Sequence, residues 1–174
     1  VYAARGILAG EGDIYIAGGT ESMTRAPYVM AKPEMAYSRG NKELFDTTIG
    51  WRFTNEKLAE MYGADSMPET AENVAQQFGV TREQQDEFAY HSQMKAKEAM
   101  EAGKFADEIV PVVYHDRRGN TITVDTDEHP RPDTSLEVLA KLRPIFPDGT
   151  VTAGNASGVN DGASALLILS AAKA

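Results

Sequence analysis

Gly149-Thr-Val-Thr-Ala-Gly-Asn-Ala-Ser-Gly-Val-Asn-Asp-Gly-Ala-Ser-Ala-Leu-Leu-Ile-Leu-Ser170 has two halves of opposite character. The first is almost all small residues. Gly154, Gly158 and Gly162 recur at i, i+4 and i+8, which on a helix puts them on one face. A glycine inside an ordinary helix costs about 1 kcal/mol relative to alanine. Three of them imply a close approach, either by another backbone in tight packing or by an extended ligand. Spacing alone leaves both open, and it matches neither the P-loop nor the dinucleotide fingerprint. The second half, Ala165 to Leu169, is a continuous apolar run. It is too short for a membrane span and suits a buried strand.

The chain has 174 residues, enough for one domain with a sizeable core. Its net charge of −9, with no basic cluster longer than Arg117-Arg118, argues against a nucleic-acid binder. It also means that any phosphate site must be local. The absence of cysteine excludes disulfides and any Cys-based metal site or nucleophile within these residues. His91, His115 and His129 have no metal-ligand spacing. With no leader or transit pattern visible, the expected compartment is the cytoplasm, with no membrane partner. The chain opens without methionine, directly in helical spacing at Val1, Ala4, Ile7 and Leu8, so it is expected to be a fragment of a longer protein.

Outward from the small-residue stretch, the pattern is α/β at both ends of a long middle. Gly10 suits the end of an opening helix, and Asp13 to Ala17 reads as a strand closed by Gly18-Gly19. Tyr28 to Asp65 has weak periodicity and the sole tryptophan, Trp51, and reads as an interaction arm or a satellite core, with a short helix near Leu58. Thr70 is the expected N-cap of a helix ending at Phe78 before Gly79, with Val74 and Phe78 as its apolar face. Thr81 and Gln84 form a capping box for a surface helix running to Gly103, along Phe88, Ala89, Ser92, Ala96 and Ala99. Glu108 to Tyr114, with Pro111 at an edge or bulge, pairs with Thr121 to Val124 as a hairpin. Arg131, set in an acidic proline-broken loop, is either a surface ion pair or a phosphate clamp. Ser135 caps a short helix from Leu136 to Leu142.

Two segments carry a specific resemblance. Ala17-Gly-Gly-Thr-Glu-Ser-Met-Thr-Arg-Ala-Pro-Tyr28 and Thr152-Ala-Gly-Asn-Ala-Ser-Gly-Val-Asn-Asp-Gly-Ala163 resemble signatures of the thiolases, the acyl-CoA acetyltransferases. Glu69 to Val74, Gln85 to Ala89, Glu108 to Pro111 and Ala140 to Pro144 follow in the family's order. Arg25 to Met30 and Asp46 to Phe53 look most like the 3-oxoadipyl-CoA thiolases. The resemblance implies a fragment of the thiolase fold: the last two strands of a five-stranded mixed sheet, antiparallel, around an inserted α+β CoA-binding loop domain. The implied boundaries are 1–27 for the end of the first α/β half, 28–148 for the insert, and 149–174 for the return through a glycine-rich helix and the fifth strand. Two strands alone would leave apolar faces bare.

The implied chemistry is thiolytic cleavage of a 3-oxoacyl-CoA, 3-oxoadipyl-CoA by subtype, giving acetyl-CoA and a shortened acyl-CoA. It uses two cysteines, a histidine and an oxyanion asparagine, and none of those positions falls in this chain. The fragment alone is therefore expected to be inactive. CoA and acyl-CoA are implied as substrates, with no permanently bound cofactor, and a homodimer or homotetramer is implied for the complete protein. By resemblance, Ser157 contacts the pantetheine arm with Ala153, Ala156 and Gly158 packed beside it. Arg131 lies by the nucleotide phosphate, Phe146 walls that pocket, and Leu58 and Met67 make apolar contacts to CoA. Ser66 departs from a family histidine near the thioester, and Val138 from a CoA-contacting serine. A non-catalytic acyl-CoA-binding or carrier module is the alternative. A β-ketoacyl synthase relative is disfavoured, because those enzymes lack the long insert.

Overall fold

A computed structural model describes residues 1–174. The chain divides into two compact units, Val1–Ala64 with Val159–Ala174, and Asp65–Gly158.

In the first unit, helix α1 (Tyr2–Leu8) is followed by Gly10 at a positive φ of 73°, as expected for a glycine stop. Strand β1 (Ile14–Glu21) pairs antiparallel with β6 (Gly162–Leu169), in register from Ile14 opposite Leu169 to Glu21 opposite Gly162. The antiparallel pair is the expected one, but β1 does not stop at Gly18-Gly19. Gly18 stays inside the ladder because the partner backbone crowds it: a Cβ there would lie 2.5 Å from the Ser164 carbonyl oxygen. Glycine here marks close backbone approach within a strand and not a turn. The run at the end of β6 is not buried: Leu166 is 65% exposed and Leu167 62%. Two strands have too few neighbours to cover both faces.

Past β1, a 3-10 turn (Met23–Arg25) leads to the small ribbon β2 (Tyr28–Val29) with β3 (Phe45–Asp46) and to α2 (Glu56–Tyr62), capped by Asn55. The two sequence signatures meet at the turn. Thr24 donates its amide to Asp161 Oδ1 at 2.9 Å and its hydroxyl to Oδ2 at 2.7 Å.

The second unit holds the core. Ala75, Leu139 and Val151 are buried, as are two polar residues, Asp86 and Thr152. Helix α3 (Met67–Phe78) starts earlier than its expected cap at Thr70. Ser66 is the cap, in a full capping box with Glu69, and Pro68 suits the first turn. The expected apolar face of α3 is wrong as well: Val74 and Phe78 are exposed, and Ala75 faces in. Helix α4 (Arg82–Glu101) opens on the Thr81–Gln84 box as expected. Its Phe88 points out, 79% exposed, while Asp86 is its buried residue. The inward side of α4 is thus partly polar. Strands β4 (Val112–His115) and β5 (Thr121–Val124) form the expected hairpin, β4 beginning only after Pro111, which has no amide to give. Helix α5 (Leu136–Ala140) is capped by Ser135 and ends sooner than Leu142.

The glycine-rich helix does not exist. Between Pro147 and β6 the chain makes turns and bends. Its amides are taken by side chains: Thr150 and Val151 donate to Glu72, Thr152 to Asn155, and Gly154 to the Thr152 hydroxyl. These local bonds outcompete a helical ladder that three glycines already disfavour. Only one helix-like turn survives, from the Ala156 amide to the Thr152 carbonyl at 3.1 Å. No helix is long and apolar enough to cross a membrane.

Candidate ligand cleft

The small-residue segment walls a cleft of about 350 Å³ in the second unit. Ala153, Gly154 and Ala156 form one side. Leu139 and Leu142, from α5 and the turn after it, join Val138 to form an apolar side. Gln93, His129, Arg131, Asp133 and Thr134 supply the polar groups. An apolar slot with a few convergent polar groups is the usual form of a small-molecule site.

The tightness at Gly154 has a local cause. A Cβ there would lie 2.5 Å from both Leu139 Cδ2 and Leu142 Cδ1. This glycine lets the segment sit against the leucines, which keeps the slot narrow. Of the two readings of the glycines, close packing accounts for Gly154 by itself.

Arg131 is held at the backbone and reaches outward. Its amide donates to Gln93 Oε1 at 2.8 Å, and Nη1 donates to the Glu128 carbonyl at 3.1 Å. No carboxylate lies within 4.0 Å of its guanidinium, so the surface ion pair is not formed. An exposed guanidinium fork beside an apolar slot is suited to a phosphate.

Of the sequence-derived site residues, Arg131, Ala153 and Ala156 meet in this cleft, and Val138 with them. Ser157 and Gly158 follow Ala156 and are exposed, outside its lining. Phe146 lines a separate hollow with Glu72, Gly149 and Thr150. Met67 sits at the first turn of α3, exposed. Leu58 belongs to the first unit, on α2, where its amide donates to Asn55 at 3.2 Å. Ser66 serves as the helix cap described above.

Several lining residues were not read from sequence: Gln93, His129, Asp133, Thr134, Leu139 and Leu142. Gln93 had a signal. Arg82, Asp86 and Gln93 stand at i, i+4 and i+11, on one face of α4, so a polar inward stripe was there to be seen.

Residues 1–172 match the family model described as "Thiolase, N-terminal domain". The beta-ketoadipyl-CoA thiolase of Acinetobacter baylyi is 60% identical over 169 residues, 97% of this chain and 42% of that protein. The 3-oxoadipyl-CoA/3-oxo-5,6-dehydrosuberyl-CoA thiolase of Escherichia coli is 55% identical over 170 residues, again 97% of this chain and 42% of that protein. The crystal structure of human mitochondrial 3-ketoacyl-CoA thiolase in complex with CoA superposes with a TM-score of 0.80 at 38% identity, covering 99% of this chain and 41% of that one. The chain thus spans about 42% of the length of the curated relatives it matches.

Proposed function

The chain belongs to the thiolase family, and from that premise we propose that it forms the CoA-binding part of a degradative acyltransferase. The proposed reaction of the whole protein is cleavage of a 3-oxoacyl-CoA by CoA to acetyl-CoA and a shortened acyl-CoA. The names of the A. baylyi and E. coli relatives favour 3-oxoadipyl-CoA as the substrate. A homo-oligomer is proposed for the whole protein.

The observation that carries the reading is one cleft that joins Arg131 to Ala153, Gly154 and Ala156. A thin pantetheine arm passes along backbone that carries no bulky side chain. An anionic nucleotide end is met by a guanidinium with no carboxylate partner, which a protein of net charge −9 must supply locally. The apolar side, Val138, Leu139 and Leu142, excludes water along the slot.

The chain has no cysteine, so it supplies no thiolate to accept an acyl group. Its proposed share of the reaction is binding and orientation. The test is calorimetric titration of the folded 174-residue protein with CoA, together with an assay for thiolysis of 3-oxoadipyl-CoA. The expected result is saturable CoA binding without turnover. A folded chain that binds no CoA overturns the reading of the cleft, and turnover by the pure chain overturns the division of labour.

A further inference from the structure

Asp86 does not line the cleft, yet both sides of the cleft are tied to it. It is buried, and its two carboxylate oxygens are used separately. Oδ2 accepts from Arg82 Nε at 2.7 Å, and Arg82 Nη2 donates onward to the Leu139 and Leu142 carbonyls at 2.6 and 3.1 Å. Those two leucines are the apolar side of the slot. Oδ1 accepts from Asn155 Nδ2 at 2.9 Å. Asn155 Nδ2 also donates to the Thr150 carbonyl at 3.1 Å, and its Oδ1 accepts the Thr152 amide at 2.7 Å. Asn155 therefore fixes the turn that presents Ala153, Gly154 and Ala156.

We infer that Asp86 is a positioning residue: one buried carboxylate that locks the two walls of the cleft at a fixed separation, through Arg82 on one side and Asn155 on the other. The inference rests on the CoA-binding reading for its ligand, but its geometry stands by itself. A buried carboxylate is costly to desolvate unless it is paired and hydrogen-bonded, and here each oxygen has a donor, one of them charged. Leaving one donor without an acceptor in a buried site costs more than the bond itself contributes. An apolar residue could fill the space at Asp86, but it could not hold two separate segments by directional bonds. The two walls already touch at Gly154, where a Cβ would lie 2.5 Å from both Leu139 Cδ2 and Leu142 Cδ1, so a shift of either wall is transmitted to the slot beside that contact.

The test uses Asp86→Asn, Asn155→Ala and the double variant in the 174-residue chain. CoA affinity is read by calorimetry at a temperature where circular dichroism shows each variant folded. Hydrogen exchange is read at the Thr152 and Gly154 amides. The expected result is a loss of affinity of roughly tenfold or more in each single variant, with the double variant no worse than the weaker single, because both act through one link. Faster exchange at Thr152 and Gly154 accompanies it. If Asp86→Asn does not fold, Asn155→Ala alone decides. Folded variants that bind CoA within about twofold of the wild type overturn the inference, since a purely structural role moves the melting temperature and not the affinity. If the wild type binds no CoA, the functional reading fails instead. Exchange then decides the geometry: unchanged protection at Thr152 and Gly154 in Asp86→Asn overturns the lock, and lost protection sustains it.

Discussion

Glu72 on α3 grips Thr150 twice: its Oε1 accepts the Thr150 amide at 2.7 Å and its Oε2 the Thr150 hydroxyl at 2.9 Å. Oε1 takes the Val151 amide at 2.7 Å as well, and Gln85 Nε2 donates to the same Thr150 hydroxyl at 2.9 Å. The grip is close enough that a Cβ on Gly149 would lie 2.5 Å from Oε1. Helices α3 and α4 thereby hold the start of the small-residue segment. Glu72→Gln is isosteric but removes the charge on which these donors converge, and its amide group can be met only by the Thr150 hydroxyl, the one partner able to accept. It should destabilise the chain by about 1–3 kcal/mol, measured by chemical denaturation at neutral pH.

That loss should depend on pH. Burial is the largest influence on Glu72 and raises its pKa, but the hydrogen bonds from Val151 and Thr150 together outweigh it, so the pKa lies below the ordinary 4.5. A depressed folded-state pKa stabilises the fold above the unfolded value, and that contribution disappears as pH falls through the folded value. The stability gap between wild type and Glu72→Gln should therefore be full at neutral pH. It should begin to close as pH falls past 4.5. Denaturation midpoints measured between neutral pH and the acid limit of folding check this, and a gap that widens in acid would refute the assignment.

Ser66 and Thr70 give a direct contrast. Ser66 caps α3 and exchanges two bonds with Glu69, whereas Thr70 lies in the helix proper, its amide bonded to the Ser66 carbonyl. Ser66→Ala should cost about 1 kcal/mol, and Thr70→Ala should cost close to nothing or be slightly stabilising by helix propensity. Thermal melts of the two variants check the order. The reverse order would restore Thr70 as the cap.

The places where the sequence misled have physical causes. Both Ser66 and Thr70 are good caps by type, and only the reciprocal Glu69 contact decides between them. The hairpin and the Thr81 box depend on local pattern and were legible, whereas the antiparallel β1–β6 pair joins segments far apart in sequence and was read by resemblance. The glycine-rich helix was not, because i, i+4 spacing says nothing about Glu72, Asn155 and Thr152 side chains competing for the amides. In the cleft, Arg131, Ala153 and Ala156 were legible by resemblance. The leucines opposite them were not, because α5 reaches the segment through Arg82, far away in sequence.

Gly18 tests the reading of β1. Its missing side chain leaves room for the Ser164 carbonyl, and backbone cannot swing aside as a side chain can. Gly18→Ala should therefore part the strands near Ser164 and lower stability by roughly 1–3 kcal/mol. Gly19→Ala meets nothing within 4 Å and should be tolerated. Hydrogen exchange along β1 and β6 separates the two: protection around the Gly18–Ala165 pair should fall in the first variant and persist in the second.

Arg131 tests the polar end of the cleft. Its guanidinium bonds only the Glu128 carbonyl, while its amide keeps the Gln93 contact whatever the side chain. Arg131→Ala therefore removes the charge and leaves the backbone anchor in place. CoA affinity should fall by roughly tenfold or more. Affinity for pantetheine, which has no phosphate, should stay as in the wild type. The wild-type affinity for CoA should weaken as salt rises, because an exposed cation meeting a phosphate is screened, and the variant should show a flatter dependence. Titrations with both ligands at two ionic strengths decide the matter. Equal losses for CoA and pantetheine would mean that Arg131 shapes the loop and does not meet the nucleotide phosphate.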